Sequence, residues 1–202
     1  APLLKASELA CQQALIREKD PTQIVASDYF SEVEEVKKEF SNMVNCPPQD
    51  VATIPSASYG MANVIKNVPF QAGQHALTLE HEFPSTVFSL LEWCKGHKAV
   101  LMFVGPDSHI QEQGRSWNTN ILNAIDEQTA ILIMSSVHWM NGVKFDLKAI
   151  GAKCRETGTI FVVDGTQSVG ALPLDVKDIQ VDALICAGYK SLMGPYALGL
   201  AY

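Results

Sequence analysis

Two apolar runs, AILIM at residues 130–134 and IFVV at residues 160–163, decide the predicted fold. Each run is continuously apolar, whereas a strand with one face in water alternates apolar and polar side chains. Both runs are short and bounded by polar residues, which is typical of strands that are buried on both faces. Strands of this kind belong to parallel sheets whose two faces are covered by helices.

Helical and strand patterns alternate along the rest of the chain, which extends this interpretation to a whole domain. Parallel neighbours need long crossovers, and helices usually supply them. The predicted fold class is therefore α/β, with a mostly parallel central sheet and helices on both faces. The predicted strands are 51–54, 75–79, 99–104, 130–134, 159–163 and 183–186, and the predicted helices between them are 61–68, 85–95, 118–125 and 147–157.

The start of the chain has a different character, because it contains helical patterns without strands. An amphipathic pattern over residues 31–44 predicts a helix. Ser31 followed by Glu34 resembles a capping box, which would place the start of the helix at Ser31. We interpret residues 1–45 as an N-terminal helical segment and residues 46–202 as the α/β domain.

Composition excludes several functional classes. The 202 residues are 47% hydrophobic and 18% charged, with a net charge of −7, so the chain is globular and acidic. It has no basic stripe for nucleic acid and no apolar run approaching the roughly 18 residues of a membrane span. The five cysteines form no C-x-x-C pair, so neither a metal site nor a disulfide framework is predicted. A reducing, cytoplasmic location is expected.

Three features follow predicted strands, at the sheet edge where ligands of α/β proteins bind. Lys190 comes directly after the strand 183–186, and Asp164 directly after IFVV. Residues 56–59 (SASY) open a helix, and a helix N-terminus suits a phosphate group. Each feature alone has an ordinary alternative: a solvated loop lysine, a turn aspartate and a serine N-cap.

Together the three features match the chemistry of pyridoxal 5'-phosphate (PLP). A PLP enzyme needs an amine that bonds the cofactor's aldehyde, a carboxylate that keeps the pyridine nitrogen protonated and a site for the phosphate. Lys190, Asp164 and residues 56–59 could supply these groups. A dinucleotide-binding oxidoreductase is not supported, because the chain lacks the G-x-G-x-x-G fingerprint.

The segments VVDGTQSVGALPLDV (162–176) and DALICAGYKSLMGPYALGLAY (182–202) resemble the class V aminotransferase family of fold-type I PLP enzymes. That family includes cysteine desulfurases, selenocysteine lyases, kynureninases, isopenicillin N epimerase and several transaminases. The resemblance implies PLP as the cofactor, an amino acid as the substrate and a homodimer. It also implies that the chain corresponds to the large domain, without the C-terminal small domain of the family.

The resemblance assigns roles to single residues. Lys190 matches the lysine that forms the Schiff base, and Asp164 matches the partner of the pyridine nitrogen, so both are the predicted catalytic residues. Gln167 matches a glutamine at the ring's phenolic oxygen. Tyr189 lies directly before the lysine, where the family places a residue that contacts the phosphate.

Four further residues correspond to family positions that contact the phosphate or the ring of the cofactor. Ser58 and Tyr59 fall in the segment that corresponds to the family's phosphate loop. Phe83, in HEFPSTV, matches the phenylalanine that stacks on the ring in kynureninase-like and epimerase-like members. Desulfurases use a histidine nearby, so His81 is the alternative stacking residue.

Two departures from the desulfurase pattern favour other branches of the family. Ala187 replaces the serine that usually supplies a phosphate hydroxyl, and Trp139 stands where desulfurases have an amide side chain. Trp139 either donates its N–H to a ligand or only walls the pocket. The predicted function is an aminotransferase-like PLP enzyme of class V. The alternatives are a PLP-dependent lyase or epimerase, and an inactive truncated protein that keeps the PLP fold.

Overall fold

The computed structural model of the protein describes residues 3–107 and 113–202. Within these ranges helices and strands alternate after the first two helices, as predicted. The helices are α1 (Lys5–Glu18), α2 (Asp28–Val44), α3 (Ala57–Lys66), α4 (Pro84–His97), α5 (Gln113–Ala124), α6 (Leu147–Thr157) and α7 (Val176–Ile179). The strands are β1 (Ala52–Ile54), β2 (His75–Leu79), β3 (Val100–Val104), β4 (Thr129–Ser135), β5 (Ile160–Asp164), β6 (Ala183–Ala187) and β7 (Gly199–Ala201).

The strands form one seven-stranded sheet in the order β1-β7-β6-β5-β4-β2-β3. All pairs from β6 to β3 are parallel, which confirms the mostly parallel sheet. The last strand, β7, is antiparallel to both of its neighbours, β6 and β1. The carboxyl ends of β4, β5 and β6 therefore lie side by side at one edge of the sheet.

The core lies on both faces of the sheet, because successive side chains of each strand point to opposite sides. In β4, Leu132 and Met134 belong to a cluster that includes residues of α2, α5 and α6. Ile131 and Ile133 belong to the cluster on the other face, which includes residues of α3 and α4. All four side chains are fully buried, and each such burial contributes about 1.5–3 kcal/mol. The predicted helices on both faces are confirmed.

The predicted start of the second helix is wrong. Helix α2 begins at Asp28, so Ser31 lies inside the helix and does not cap it. The Asp28 carboxylate accepts a hydrogen bond from the backbone N–H of Val25 at 3.0 Å, which secures the chain one turn earlier. Glu34 does not reach back to Ser31 in a capping box; it pairs with Lys37 at 2.9 Å.

The two N-terminal helices differ in how they pack. Helix α1 buries none of its residues, whereas Phe40 and Val44 near the end of α2 are buried in the core cluster. Phe40 and Val44 belong to the apolar face predicted for residues 31–44, whereas Val33 on the same predicted face is exposed. The division into residues 1–45 and 46–202 stays a prediction.

Two features that would indicate other functional classes are absent from the described residues. No helix in residues 3–107 and 113–202 combines the length and the apolarity needed to cross a bilayer. In the same residues, no group of three or more histidine, cysteine, aspartate or glutamate side chains is arranged to hold a metal ion.

Candidate active site

A small cavity lies at the carboxyl ends of β4, β5 and β6, and we refer to it as the strand-end cavity. Its volume is about 90 Å³. Its floor is buried, whereas much of its rim is exposed, so it is a shallow site that opens to solvent. The lining residues are Ser56, Ala57, Ser58, Phe83, Ser85, Ser135, Trp139, Asp164, Thr166, Gln167, Ala187, Tyr189 and Lys190.

Asp164 is the last residue of β5 and lies on the floor of the cavity. The backbone N–H of Thr166 donates to its Oδ1 at 2.9 Å, and the Thr166 hydroxyl accepts from the backbone N–H of Ala187 at 3.0 Å. Burial raises the pKa of Asp164, and Glu82 adds to the rise, whereas hydrogen bonds from Thr166 and the charge of Lys190 oppose it. A positive charge on a bound ligand beside Asp164 would therefore stabilise its buried carboxylate.

Lys190 lies in the hairpin between β6 and β7, close to the end of β6. The hairpin is braced by a hydrogen bond from the Gly188 N–H to the Leu198 carbonyl at 2.8 Å. A Cβ atom at position 188 would lie 2.7 Å from that carbonyl oxygen, so the close approach requires glycine. The sheet thereby fixes the backbone two residues before the amine.

The aromatic wall of the cavity is Phe83. The Lys190 Nζ atom lies 5.9 Å from the centre of the Phe83 ring. Trp139 packs edge-on against the same ring, with the centroids 5.5 Å apart, and its indole N–H donates to the His81 carbonyl at 2.7 Å. His81 itself is exposed and does not line the cavity. The geometry favours Phe83 over His81 as the ring contact, and the indole N–H of Trp139 is already used within the protein.

Helix α3 points its N-terminus at the cavity. The Ser56 side chain caps the helix by accepting from the backbone N–H of Tyr59 at 3.1 Å. Ser58 lines the cavity, but the Tyr59 side chain is 54% exposed and does not. Any contribution of Tyr59 to a phosphate site would therefore come from its backbone region.

The structure brings six of the seven predicted site residues to one cavity. Lys190, Asp164, Gln167, Phe83, Ser58 and Tyr189 line it, and Tyr59 lies beside it. The Tyr189 ring stacks on Tyr196 with 4.6 Å between their centroids. The roles of these residues stay predictions, because the geometry gives their placement and not their contacts with a ligand.

Sequence reasoning missed several members of the site. Thr166 and Ser135 could have been predicted, because both lie at or just after the carboxyl ends of strands, β5 and β4, that the sequence indicates. Glu82 was visible only as one of several polar residues after β2. Ser85 was not predicted as a site residue; it lines the cavity, and its buried hydroxyl has no hydrogen-bond partner among residues 3–107 and 113–202.

A larger cleft of about 850 Å³ lies on another part of the surface, between α2 and the start of α6. Neither Lys190 nor Asp164 lines it. Volume alone does not define a reactive site, whereas an amine, a buried carboxylate and an aromatic wall in one cavity do. We therefore place the candidate active site in the smaller cavity.

The residues of the cavity fit PLP. Burial is the main cause that raises the pKa of Asp164, and a protonated pyridine nitrogen beside the carboxylate would offset the cost of burying its charge. The buried Ser85 hydroxyl has an unused hydrogen-bonding capacity on the same wall. The N-terminus of α3 offers backbone N–H groups and a positive dipole end to a phosphate.

This combination of an α/β sheet, a strand-end lysine and a strand-end aspartate defines a PLP-type site. In agreement, the chain belongs to the family described as aminotransferase class-V, whose model matches residues 21–202. The resemblance drawn from residues 162–176 and 182–202 is thereby confirmed.

The chain is similar to curated proteins that are named for two different activities. The chain is 24% identical over 207 residues to the uncharacterised aminotransferase YcbU of Bacillus subtilis, which covers 96% of the chain and 53% of YcbU. It is 27% identical over 176 residues to the cysteine desulfurase IscS of Shewanella woodyi, which covers 84% of the chain and 41% of IscS.

Solved structures show the same fold. The cystine C-S lyase C-DES, determined with its product cysteine persulfide, matches 99% of the chain and 54% of C-DES with a TM-score of 0.85 at 22% identity. The cysteine desulfurase CsdA of Escherichia coli matches 89% of the chain and 45% of CsdA with a TM-score of 0.77 at 18% identity. The chain spans about half the length of the curated relatives that it matches.

Proposed function

We propose that the chain is the cofactor-binding part of a PLP-dependent enzyme that acts on an amino acid, with aminotransferase-like chemistry. One observation carries the proposal: the amine of Lys190 and the carboxyl of Asp164 line the same cavity. The family supports the cofactor, because a mutant of C-DES, a structure with the same fold, has glycine covalently linked to its PLP cofactor. The curated relative YcbU supports the aminotransferase class by its name.

Different residues of the cavity would hold different parts of PLP. Lys190 would bond the cofactor's aldehyde carbon, and Phe83 would cover one face of the ring. The N-terminus of α3 with Ser58, and Tyr189 from the β6–β7 hairpin, would hold the phosphate. Gln167 lines the cavity and would reach the phenolic oxygen of the ring.

When bound, PLP supplies a protonated ring that accepts electrons from the substrate's Cα. The task of Asp164 is to hold the proton on the ring nitrogen, which its buried carboxylate can do through a charge-assisted hydrogen bond. The Lys190 amine, near the end of β6, would take the proton from the substrate's Cα. The exposed rim formed by Ser58, Phe83 and Trp139 admits the substrate.

A lyase is the second candidate. It is favoured by the named relatives, since IscS is a cysteine desulfurase and C-DES is a cystine C-S lyase. Ala187 and Trp139, which differ from the desulfurase pattern predicted from the sequence, favour the aminotransferase. Product analysis with a panel of L-amino acids separates the two. An oxo acid that keeps the substrate's side chain, with the amino group passed to an acceptor, indicates transamination, and release of a sulfur product indicates the lyase.

We also propose that the protein acts as a homodimer in the cytoplasm, without nucleic acid or membrane partners. The exposed aromatic side chains Tyr29 and Phe30, 70% and 69% exposed, support a second copy packing near α2. The net charge of −7 disfavours nucleic acid and anionic lipid surfaces. A sedimentation-velocity run that finds only monomer at micromolar concentration would remove the dimer from the proposal.

Reductive trapping tests the covalent role of Lys190. The full-length protein is incubated with PLP and reduced with borohydride, and the modified peptide is then identified by mass spectrometry. We expect a stable adduct on Lys190 and the loss of the yellow absorbance band, because reduction converts the C=N bond to a stable amine.

Two variants control the trapping experiment. Lys190→Ala is expected to give no adduct, whereas Lys95→Ala, at an exposed lysine in the last turn of α4, is expected to give the same adduct as the parent protein. If the adduct forms on another lysine, or persists in Lys190→Ala, the proposed function is wrong in its central residue.

A further inference from the structure

Glu82 is a buried carboxylate beside the strand-end cavity that has no role in the function proposed above. Its residue is only 4% exposed, which is unusual for glutamate. It follows His81, whose positive φ of 55° belongs to a tight turn closed by a hydrogen bond from the Glu82 N–H to the Leu79 carbonyl at 3.3 Å. This turn directs the Glu82 side chain into the protein at the end of β2.

Three hydrogen bonds hold the Glu82 carboxylate. Its Oε1 accepts from the backbone N–H of Phe83 at 2.7 Å and from the Ser135 hydroxyl at 2.5 Å. Its Oε2 accepts from the backbone N–H of Ser135 at 2.7 Å. The carboxylate therefore ties the residue before α4 to the last residue of β4, and both of these residues line the cavity.

The position of Phe83 depends on this tie. Phe83 is the N-cap residue of α4, and no side-chain hydrogen bond caps the helix there. Trp139 contacts the Phe83 ring from one side, and Lys190 lies 5.9 Å from its centre. The hydrogen bond from the Phe83 N–H to the Glu82 carboxylate, which also binds Ser135, thus fixes the aromatic wall relative to β4.

Glu82 also places a second negative group near Asp164. The groups that act on the Asp164 carboxyl are Glu82, which raises its pKa, Lys190, which lowers it, and the hydrogen bonds from Thr166. The Cys186 thiol lies on the neighbouring strand; burial raises its pKa, and the Asp164 charge adds to the rise. Glu82 and Lys190 therefore act on the Asp164 carboxyl with opposite signs.

We propose that Glu82 is a positioning residue of the site, which fixes Phe83 as the aromatic wall and adds the negative charge that favours a cationic ring over Asp164. The ligand named in this proposal rests on the proposed function. The structural part does not, because it concerns the bonds of Glu82 with Phe83 and Ser135 and its effect on Asp164. The proposal predicts that Glu82 acts through charge as well as through packing.

Glu82→Gln separates charge from size, because the amide has nearly the same shape. Carboxyl ¹³C NMR of aspartate-labelled, cofactor-free full-length protein follows the titration of Asp164, which Asp164→Asn assigns. We expect the pKa of Asp164 to fall in Glu82→Gln, since a like charge has been removed. It should stay raised in Glu82→Asp, which keeps the charge, and in Glu80→Gln, which changes the exposed carboxylate two residues earlier.

A titration with PLP, followed by absorbance, gives the second measurement. We expect the dissociation constant to rise about tenfold in Glu82→Gln and by a smaller, measurable factor in Glu82→Asp, which keeps the charge but has a shorter side chain. An unchanged Asp164 pKa in Glu82→Gln would overturn the electrostatic role of Glu82, and so would a pKa in Glu82→Asp that falls to the usual range. If the parent protein binds no PLP, the proposed function fails, while the NMR titration still decides the role of Glu82.

Should Glu82→Gln fail to fold, as judged by far-ultraviolet circular dichroism, Glu82→Asp carries the test alone. The proposal then requires a folded variant with a raised Asp164 pKa and a weakened PLP affinity, because the shorter side chain keeps the charge but loosens its tie to Phe83. Parent-like affinity for PLP in that variant would overturn the positioning role.

Discussion

Asp164→Asn is expected to lower the turnover of the PLP-loaded, full-length protein by about 10²–10³-fold, the size of effect seen when one preorganised electrostatic contact is removed. Asparagine keeps the shape of the side chain and can still accept the hydrogen bond from the Thr166 N–H. It cannot hold a proton on the ring nitrogen as a carboxylate does. Steady-state kinetics with the best substrate from the amino acid panel measures the loss.

The same substitution is expected to stabilise the cofactor-free protein at neutral pH. The pKa of Asp164 is raised above its usual value of 3.8 in the folded state, mainly by burial, so the folded protein binds this proton more tightly than the unfolded chain does. Stability therefore falls as pH rises from near 3.8 through the folded pKa, and the penalty is complete above it. Asp164→Asn removes the penalty, so its melting temperature should exceed that of the parent protein near neutral pH and approach it in acid.

Asp175→Asn is a control for which the opposite effect on stability is expected. Asp175 caps α7 by accepting from the N–H groups of Lys177 and Asp178, and a hydrogen bond from Asn45 is the main cause that lowers its pKa. Its contribution to stability is present above the unfolded pKa and is lost as pH falls through the folded pKa. A gain in melting temperature for Asp175→Asn, or a loss for Asp164→Asn at neutral pH, would contradict this account of the site.

Trp117→Ala is expected to destabilise the protein by about 3–5 kcal/mol, because it removes a large buried ring from the core. Trp117 is 1% exposed, and its indole N–H donates to the Val104 carbonyl at 2.7 Å. Its ring contacts Phe145 edge-on at 5.2 Å and His138 at 4.9 Å between centroids. The substitution therefore opens a cavity and removes one of the two hydrogen bonds that the Val104 carbonyl accepts, the other coming from the Glu80 N–H at 2.8 Å. Equilibrium unfolding in urea measures the change.

Two further variants serve as controls for Trp117→Ala. Trp117→Phe keeps most of the ring and should cost less than Trp117→Ala, and Phe88→Ala, at a side chain that is 68% exposed, should change stability by no more than about 0.5 kcal/mol. Because His138 precedes the cavity residue Trp139, Trp117→Ala should also weaken PLP binding. Equal stabilities for Trp117→Ala and Phe88→Ala would show that the core is not organised around this ring.

The elements with strong local signals were predictable from the sequence. Helix α6 spans 147–157 in both the prediction and the structure, and the apolar runs at 130–134 and 160–163 lie within β4 and β5. Asp164 could be placed at the sheet edge because it follows an apolar run without interruption. These features depend on periodicity and hydrophobicity over neighbouring residues, which the sequence shows directly.

Features that depend on distant contacts were not predictable. Strand β7 has only three residues, one of them glycine, and it exists because β1 and β6 pair with it. Glu82 is separated from Ser135 by 53 positions, so their hydrogen bonds emerge only once β2 and β4 are adjacent. The resemblance places Tyr59 in the phosphate loop, where backbone N–H groups would matter more than side chains; its side chain, on the first turn of α3, does not line the cavity, and its role stays a prediction.

The place of β7 in the sheet has a consequence for synthesis. The first strand, β1, reaches the sheet only through β7, the last one, and α3 follows β1 directly. On the ribosome, where N-terminal parts emerge and fold first, β1 would have no partner until residues 199–201 leave the exit tunnel. Residues 52–54 and 199–201 must therefore pair before a vitamin B6 derivative can find this binding site, so the nascent chain stays incompetent until that moment.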